Sequence, residues 1–551
     1  MRHSSRNWRI PTVTVLLSLT VVASAVVTAG GSAGASVHAK GHRGGTLTFV
    51  VGTNPTQLAY DTSGGVASDE TINALIDNQL FTFNAKQELV PSLATSYHES
   101  SDGLTYSIFL RHGVKWSDGK PFTSKDVVFT LTKILQKDPI ISTTLSQDVT
   151  NVKAKGTYEA IVKLKHPFAP FLIGLTGSPL FIDPAHQYGN HTPVKDSAAN
   201  NHPIGTGPYM VKQWIPNNRV ILVRNPHFWG ATKNKPLPWF NEIVAEIVTN
   251  PQTIIDDLLS GAVDFVQTSW LPLTAVKELS HSACCRVVLV HDTPGYNVMN
   301  MNTTRAPFSN VTVRRAVLMA LTRKLIVKDS VTGYGQAAKA AIPSTYAALY
   351  TPKANLLKEY PYDPAKAGQL LDKAGFPATN GERFGKAITL LYSPSTGAFV
   401  NQQAGIIKSE LAKVTIKVNL VSEDVQSFLT SLYTKKDYTL SFINETSEGD
   451  PAVGIAPTYA CQPSPTAAYT NATGFCTKHL TSLFHQASVA TTTAARQKLY
   501  GKAQKIIDTQ IPAAMLYWRE TFVAVSKRVK NWKASLSGGG TFTTTWSKSW
   551  F

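Results

Sequence analysis

Residues 89–135 read LVPSLATSYHESSDGLTYSIFLRHGVKWSDGKPFTSKDVVFTLTKIL, and the order of signals in this stretch decides the fold class. Ser101-Asp102-Gly103 and Ser117-Asp118-Gly119 are turn sequences, because Asp bonds its own backbone and Gly accepts positive φ. Between them, residues 105–110 are rich in β-formers and largely alternate polar with apolar, the period of a half-buried strand. Thr123 stands three residues before Asp126, and the apolar run Val127, Val128, Phe129, Leu131 follows. A hydroxyl and an acid at that spacing satisfy orphan N–H groups at a helix start. The stretch predicts a compact piece of α/β surface and contains no catalytic constellation.

The same signals continue outward. Residues 44–50 (GGTLTFV) predict a first strand, 69–80 a helix through Ile72, Leu75 and Ile76, and 151–167 a strand pair. Residues 203–209 (PIGTGPY) have the glycines of a phosphate cradle but no following Lys, so a tight turn into a strand at 210–214 is expected. Gly261 reads as a helix C-cap. Pro294-Gly295 predicts a turn between a β run at 287–290 and an alternating run at 296–302. Asn310 is placed to cap a helix whose apolar face carries Val313, Ala316, Val317, Ala320 and Leu321. Arg314 and Arg315 fall outside that face and read as exposed or structural charge, with ligand contact as the lesser alternative. Asp363-Pro364 with Gly375 brackets a helix. Strand 388–392, helix 404–413 and strand 415–421 give a βαβ rhythm and a partly parallel sheet. Residues 444–479 form a long irregular segment, the kind that carries binding loops. Helix 493–508 and strand 515–525 follow, and the tail 543–551 (TTTWSKSWF) predicts a docked strand or turn.

The 551 residues suffice for more than one hydrophobic core, and a hydrophobic content of 43% with 16% charged residues argues against bulk disorder. The formal charge is +18, but the Lys and Arg residues are scattered rather than in runs, which reads as a generally basic surface and not a nucleic-acid patch. Arg2, Arg6 and Arg9 precede an uncharged stretch that lasts until Lys40, with small residues at 33–35 and 37–39. That layout predicts an export signal over residues 1–39, with a retained membrane anchor as the alternative. In an exported protein the four cysteines, Cys284, Cys285, Cys461 and Cys476, read as disulfide candidates rather than metal ligands, and four allow three pairings. Cys461 with Cys476 closes a local loop and is favoured. Cys284-Cys285 leaves a vicinal disulfide, two free thiols, or partners for the other two open. No G-x-S-x-G elbow, zinc-spaced His pair or nucleotide loop is present, and GERFGK at 381–386 is followed by Ala387 rather than Ser or Thr. His98 and His112 beside turns read as surface residues.

The order "VPSLA...DGLTY...LRHGVKWSDGKPFTSKDVVF", with "GGTL" at 44–47, "PIGTGPY" at 203–209, "SGxxD" at 260–264 and "YDPAKAGQLLDKAGF" at 362–376, resembles the family 5 extracellular solute-binding proteins, the dipeptide- and oligopeptide-binding branch of ATP-binding-cassette importers. The resemblance spans nearly the whole chain after residue 43. It implies an α/β, two-lobed periplasmic-binding-protein-like clamshell (type II, cluster C) with an extra subdomain in the first lobe. It further implies a first lobe at 40–290 including an extra subdomain around 84–200, a second lobe at 291–514, and a return to the first at 515–551. The protein is then expected to be exported and monomeric, to capture a peptide or small polar solute, and to deliver it to the permease transmembrane subunits. No metal, cofactor or nucleic acid is implied. A secreted enzyme or peptide-sensing receptor component on the same fold is the alternative. No Cys lies in the first 280 residues, so the lipid-anchor cysteine of many relatives is missing. Where relatives carry an acid that receives a ligand ammonium, this chain offers Asp450 before Pro451, with Glu448 as a weaker substitute. Tyr296, Asn300 and Trp518, on or beside the two crossings between lobes, are expected to line the cleft. Replacing Asp450 by Asn is expected to weaken peptide binding and leave the melting temperature nearly unchanged.

Overall fold

Seventeen strands form among the described residues: β1 (Thr46–Val51), β2 (Phe81–Phe83), β3 (Leu89–Pro91), β4 (Ala94–Glu99), β5 (Thr105–Leu110), β6 (Val149–Ala154), β7 (Glu159–Leu164), β8 (Tyr209–Ile215), β9 (Arg219–Arg224), β10 (Glu242–Ile247), β11 (Phe265–Gln267), β12 (Cys285–Met301), β13 (Gly335–Ala337), β14 (Ile388–Tyr392), β15 (Val418–Ser422), β16 (Leu440–Thr446) and β17 (Ala513–Ser526). The computed structural model describes residues 43–59, 67–84, 88–135, 145, 148–176, 180–189, 194–267, 270–343, 346, 349–350, 355–394, 399–446, 449–461, 468–532 and 546–551. The expected export signal and Glu448 lie outside them.

One large sheet has the order β15-β14-β16-β12-β17-β11-β1-β10-β9-β8, with β13 on β17. Its two central strands are its longest, 17 residues in β12 and 14 in β17. They pair antiparallel from Cys285 opposite Ser526 to Asn300 opposite Ala513, and so belong to both halves of the sheet. This corrects the turn expected at Pro294-Gly295. The ladder shifts register between Val290 and Gly295 and then resumes, because β17 supplies partners on both sides; an extra stretch in one strand makes a bulge, not a reversal. In the first half β1 pairs parallel with β10 and β11. In the second, β14 pairs parallel with β15 and β16, and helix Val400–Ala412 connects β14 to β15, giving the expected βαβ unit.

A separate antiparallel sheet, β4-β5-β7-β6, has its own core of Tyr106, Trp116, Phe122, Phe171 and their neighbours. The opening stretch folds here as read. Asp126 Oδ2 accepts the Thr123 N–H at 2.8 Å, and helix Ser124–Phe129 follows the capping box. The other oxygen of the same carboxylate accepts the Ala185 N–H at 3.0 Å, so the cap also ties in a distant segment.

The PIGTGPY turn explains why the first helix is shorter than expected, Ala67–Ile76 rather than 69–80. Gly207 donates its N–H to the Ile76 carbonyl at 2.7 Å, and a Cβ on Gly205 would lie 1.9 Å from that oxygen. Both glycines are therefore required by space, and the turn caps the helix it meets. Arg314 and Arg315 are structural: Arg314 Nε donates to the Gln510 carbonyl at 2.8 Å and Arg315 Nη2 to that of Thr509 at 2.6 Å, holding the end of helix Thr493–Gln510. Cys461 and Cys476 form a disulfide, while Cys284 and Cys285 are free thiols. The tail docks through two backbone hydrogen bonds between Lys530 and Trp550.

The halves of the chain meet a second time away from the crossing strands. Ala169, just after β7, donates its N–H to the Ser488 carbonyl at 2.8 Å. Ala452 packs into the core of the four-stranded sheet. Gly449, at φ 75°, lets the chain pass so near that a Cβ would sit 3.2 Å from Ile173.

Candidate functional site

Directly opposed residues in a sheet share a face, and successive rows alternate faces. Across β16, β12, β17 and β13, one row is Glu445, Tyr296, Trp518 and Gln336. The rows on either side, Gly295-Arg519-Gly335 and Asn444-Asn297-Tyr517-Ala337, project to the other face. β14 and β15 run parallel to β16, so all three point their carboxyl ends toward the crossing. In open α/β sheets that end is where ligands sit.

The Tyr296 face is a hydroxyl–carboxylate cluster. Tyr296 is fully buried. Its Oη lies 2.6 Å from Glu445 Oε2 and 3.0 Å from the Gly454 carbonyl, while Tyr433 Oη donates to Glu445 Oε1 at 2.9 Å. Burial raises the Glu445 pKa, and these hydroxyl donors oppose the shift without cancelling it. Tyr296 is held well above the ordinary phenol value, first by burial and then by the neighbouring Glu445 charge. The half-buried Trp518 ring meets Tyr296 edge-on at 5.9 Å.

The opposite face carries a chain of amides. Asn297 Nδ2 donates to Asn444 Oδ1 at 3.0 Å, Gln403 Nε2 to Asn297 Oδ1 at 2.7 Å, and Tyr517 Oη to Gln403 Oε1 at 3.0 Å. Two donors at the edge of this chain have no acceptor, Asn444 Nδ2 and Arg519 Nε. Burial lowers the Arg519 pKa from the ordinary guanidinium value, with only the Tyr517 phenol opposing it.

Asp450 is placed differently from an open acid. It is 2% exposed, caps helix Pro451–Gly454 by accepting the Ala452 N–H at 2.9 Å, and pairs with Arg496 Nη2 at 2.8 Å. The expectation that Asp450 can be neutralised at no cost in stability is therefore overturned, because its charge already balances a buried guanidinium. Asn300 lies further along β12, buried between Ser441 and Ala513 in the second half of the sheet. The crossing thus brings Tyr296 and Trp518 into contact and leaves Asn300 apart from them.

The family described as bacterial extracellular solute-binding proteins, family 5 Middle, matches residues 88–465. This chain belongs to that family. Among its relatives, the glutathione-binding protein GsiB of Pectobacterium atrosepticum is 27% identical over 497 residues, covering 87% of this chain and 90% of the relative. The nickel-binding periplasmic protein of Escherichia coli is 29% identical over 368 residues, covering 64% and 67%. The oligopeptide-binding protein AppA of Bacillus subtilis, solved with a nonapeptide, shares the fold with a TM-score of 0.80 at 22% identity, covering 93% of this chain and all of its own.

This family 5 protein has the two-lobed periplasmic-binding-protein fold, and β12 and β17 are the strands that both halves of its large sheet share. Glu445, Asn444 and Arg519 at the crossing were not singled out from the sequence. The signal was present: Arg519, next to Glu520, and Glu445 are charges inside the runs AAMLYWRETFVAVS and LSFINET, which otherwise read as buried strand. A charge in such a run is a marked exception to ordinary burial.

Proposed function

We propose that this protein captures a peptide or another small polar solute between its lobes and delivers it to the membrane-spanning subunits of an ATP-binding-cassette importer. The observation that carries this reading is the pair of crossing strands, which join the lobes through a row of polar and aromatic groups at the carboxyl ends of three parallel strands. The relatives' names, glutathione-binding, nickel-binding and oligopeptide-binding, support a solute in that position. Relatives in this family are solute-binding proteins rather than enzymes. No described helix is long and apolar enough to cross a membrane.

Two strands act as a hinge, whereas the Ala169–Ser488 hydrogen bond and the seat of Ala452 are contacts that parting the lobes would break. A solute shifts the balance toward the closed form only by binding that form more tightly. On this reading the solute lies on the face of the crossing away from Tyr296, which with Trp518 braces the strands from behind, while Asp450 fixes the adjoining loop and Asn300 supports the sheet beneath. The lobe division is residues 40–290, 291–514 and 515–551. Calorimetry of the purified protein against a peptide library and small polar solutes tests the proposal. Saturable binding of one class is expected, and no binding to any of them by a folded sample would contradict it.

A further inference from the structure

We infer that the captured solute carries a carboxylate or a comparable oxyanion, received by Arg519 with the Asn444 amide on the same face. The inference rests on the solute-capture reading above and names the chemistry its ligand must have. Arg519 sits on the second crossing strand, opposite Gly295 of the first. A Cβ on Gly295 would lie 3.3 Å from its Nε and 3.4 Å from Nη2, so the guanidinium lies over Gly295 and takes the room that a side chain there would fill. Arg519 Nε is enclosed and without an acceptor, and among the described residues Arg519 makes no ion pair. Asn444 Nδ2, in an adjacent row of the same face, is a second enclosed donor with nothing to bond.

An enclosed cation without a partner is costly. Three other enclosed arginines have partners in the fold: Arg496 meets Asp450, Arg314 meets three backbone carbonyls, and Arg323 meets two through Nη2 with its Nη1 left over. The Glu445 carboxylate shares the crossing but projects to the opposite face, where Tyr296 and Tyr433 occupy it. Among the described residues, the Arg519 face offers two donors, Arg519 Nε and Asn444 Nδ2, that no acceptor meets. A planar guanidinium forks onto a carboxylate with two parallel hydrogen bonds, and a carbonyl or second oxygen would engage the amide. The formal charge of +18 draws anions toward the protein from a distance.

The test uses yeast extract as the probe, native or with its carboxyl groups amidated, incubated with the full-length protein and with Arg519→Gln and Arg519→Lys. Small molecules that survive gel filtration are identified by mass spectrometry, and the folding of each variant is checked by its melting transition. Wild type is expected to retain acidic solutes from the native extract and none of their amidated forms, with affinity for acid over amide of about tenfold or more. Arg519→Gln should lose those solutes while melting normally, and Arg519→Lys should retain them weakly. If wild type retains neutral or cationic solutes, or amides as well as acids, the anion assignment is overturned while solute capture stands. Retention unchanged in a folded Arg519→Gln would do the same. If wild type retains nothing from either extract, solute capture falls and this inference falls with it.

Discussion

Arg496 and Arg519 lie in the same closing quarter of the chain, and among the described residues only Arg496 has an ion-pair partner. Arg496 is held between Asp450 at 2.8 Å and the Tyr500 hydroxyl at 3.0 Å, and through them it fixes the loop at 449–454 against helix Thr493–Gln510. Arg519, on the crossing strand, has an unbonded Nε. The first arrangement is complete without anything else, and removing a member damages the fold. The second is incomplete, and its completion is left to what enters between the lobes. The difference separates charges that build the scaffold from charges reserved for the ligand.

Several substitutions put that contrast at risk. The largest stability effect is expected at Asp450→Ala, which strands Arg496 in the interior and should cost about 3–5 kcal/mol in urea unfolding. A loss under about 1 kcal/mol would show that the pair is not structural. The loop after it is also stapled by Cys461–Cys476, with a sequence separation of 15. Replacing both by Ser should cost about 3 kcal/mol, on loop-closure entropy.

Asp508, on the Arg496 helix, has an amide neighbour, Gln504, rather than a cation, and burial pushes its pKa up to about 7. An acid raised in the folded state contributes no penalty below the unfolded pKa of about 4 and destabilises progressively as pH rises from there toward 7. Asp508→Asn should therefore gain about 2 kcal/mol at neutral pH and flatten the stability profile between those limits. An unchanged slope would place the titration elsewhere. Thr123→Ala, which removes one hydroxyl from the capping box, should cost about 1 kcal/mol and leave solute binding alone. Smallest in stability is Arg519→Gln, expected within about 1 kcal/mol of wild type because no internal partner is lost; a drop as large as that of Asp450→Ala would erase the distinction between the two arginines.

How much of this was readable beforehand follows the range of the interactions. Strand Thr105–Leu110, the Thr123–Asp126 box, the Asn310 cap and the βαβ unit around helix Val400–Ala412 are set by neighbours a few residues apart, and the sequence carries them openly. Pro294-Gly295 misled because the same residues suit a turn and a bulge, and only the partner strand, over 200 residues away, decides between them. Gly205 and Gly207 looked like conformational glycines, yet their role is to admit the Ile76 carbonyl. At the candidate site the family resemblance put Tyr296 and Trp518 near one another, and the structure has them in edge-on contact on opposed positions of β12 and β17. The partnering of Asp450 was not legible, because Arg496 lies on a separate helix and no local pattern links them.

The central claim is that a solute draws together lobes hinged on β12 and β17. Spin labels at the exposed positions Lys165 and Gln486, introduced as Lys165→Cys and Gln486→Cys in a Cys284→Ser, Cys285→Ser background, flank the Ala169–Ser488 hydrogen bond and report that approach as a distance distribution. Adding yeast-extract solutes should shift a broad or long distribution to a single short distance, the closed arrangement described above. A distribution that stays unchanged while solute is bound would contradict the account.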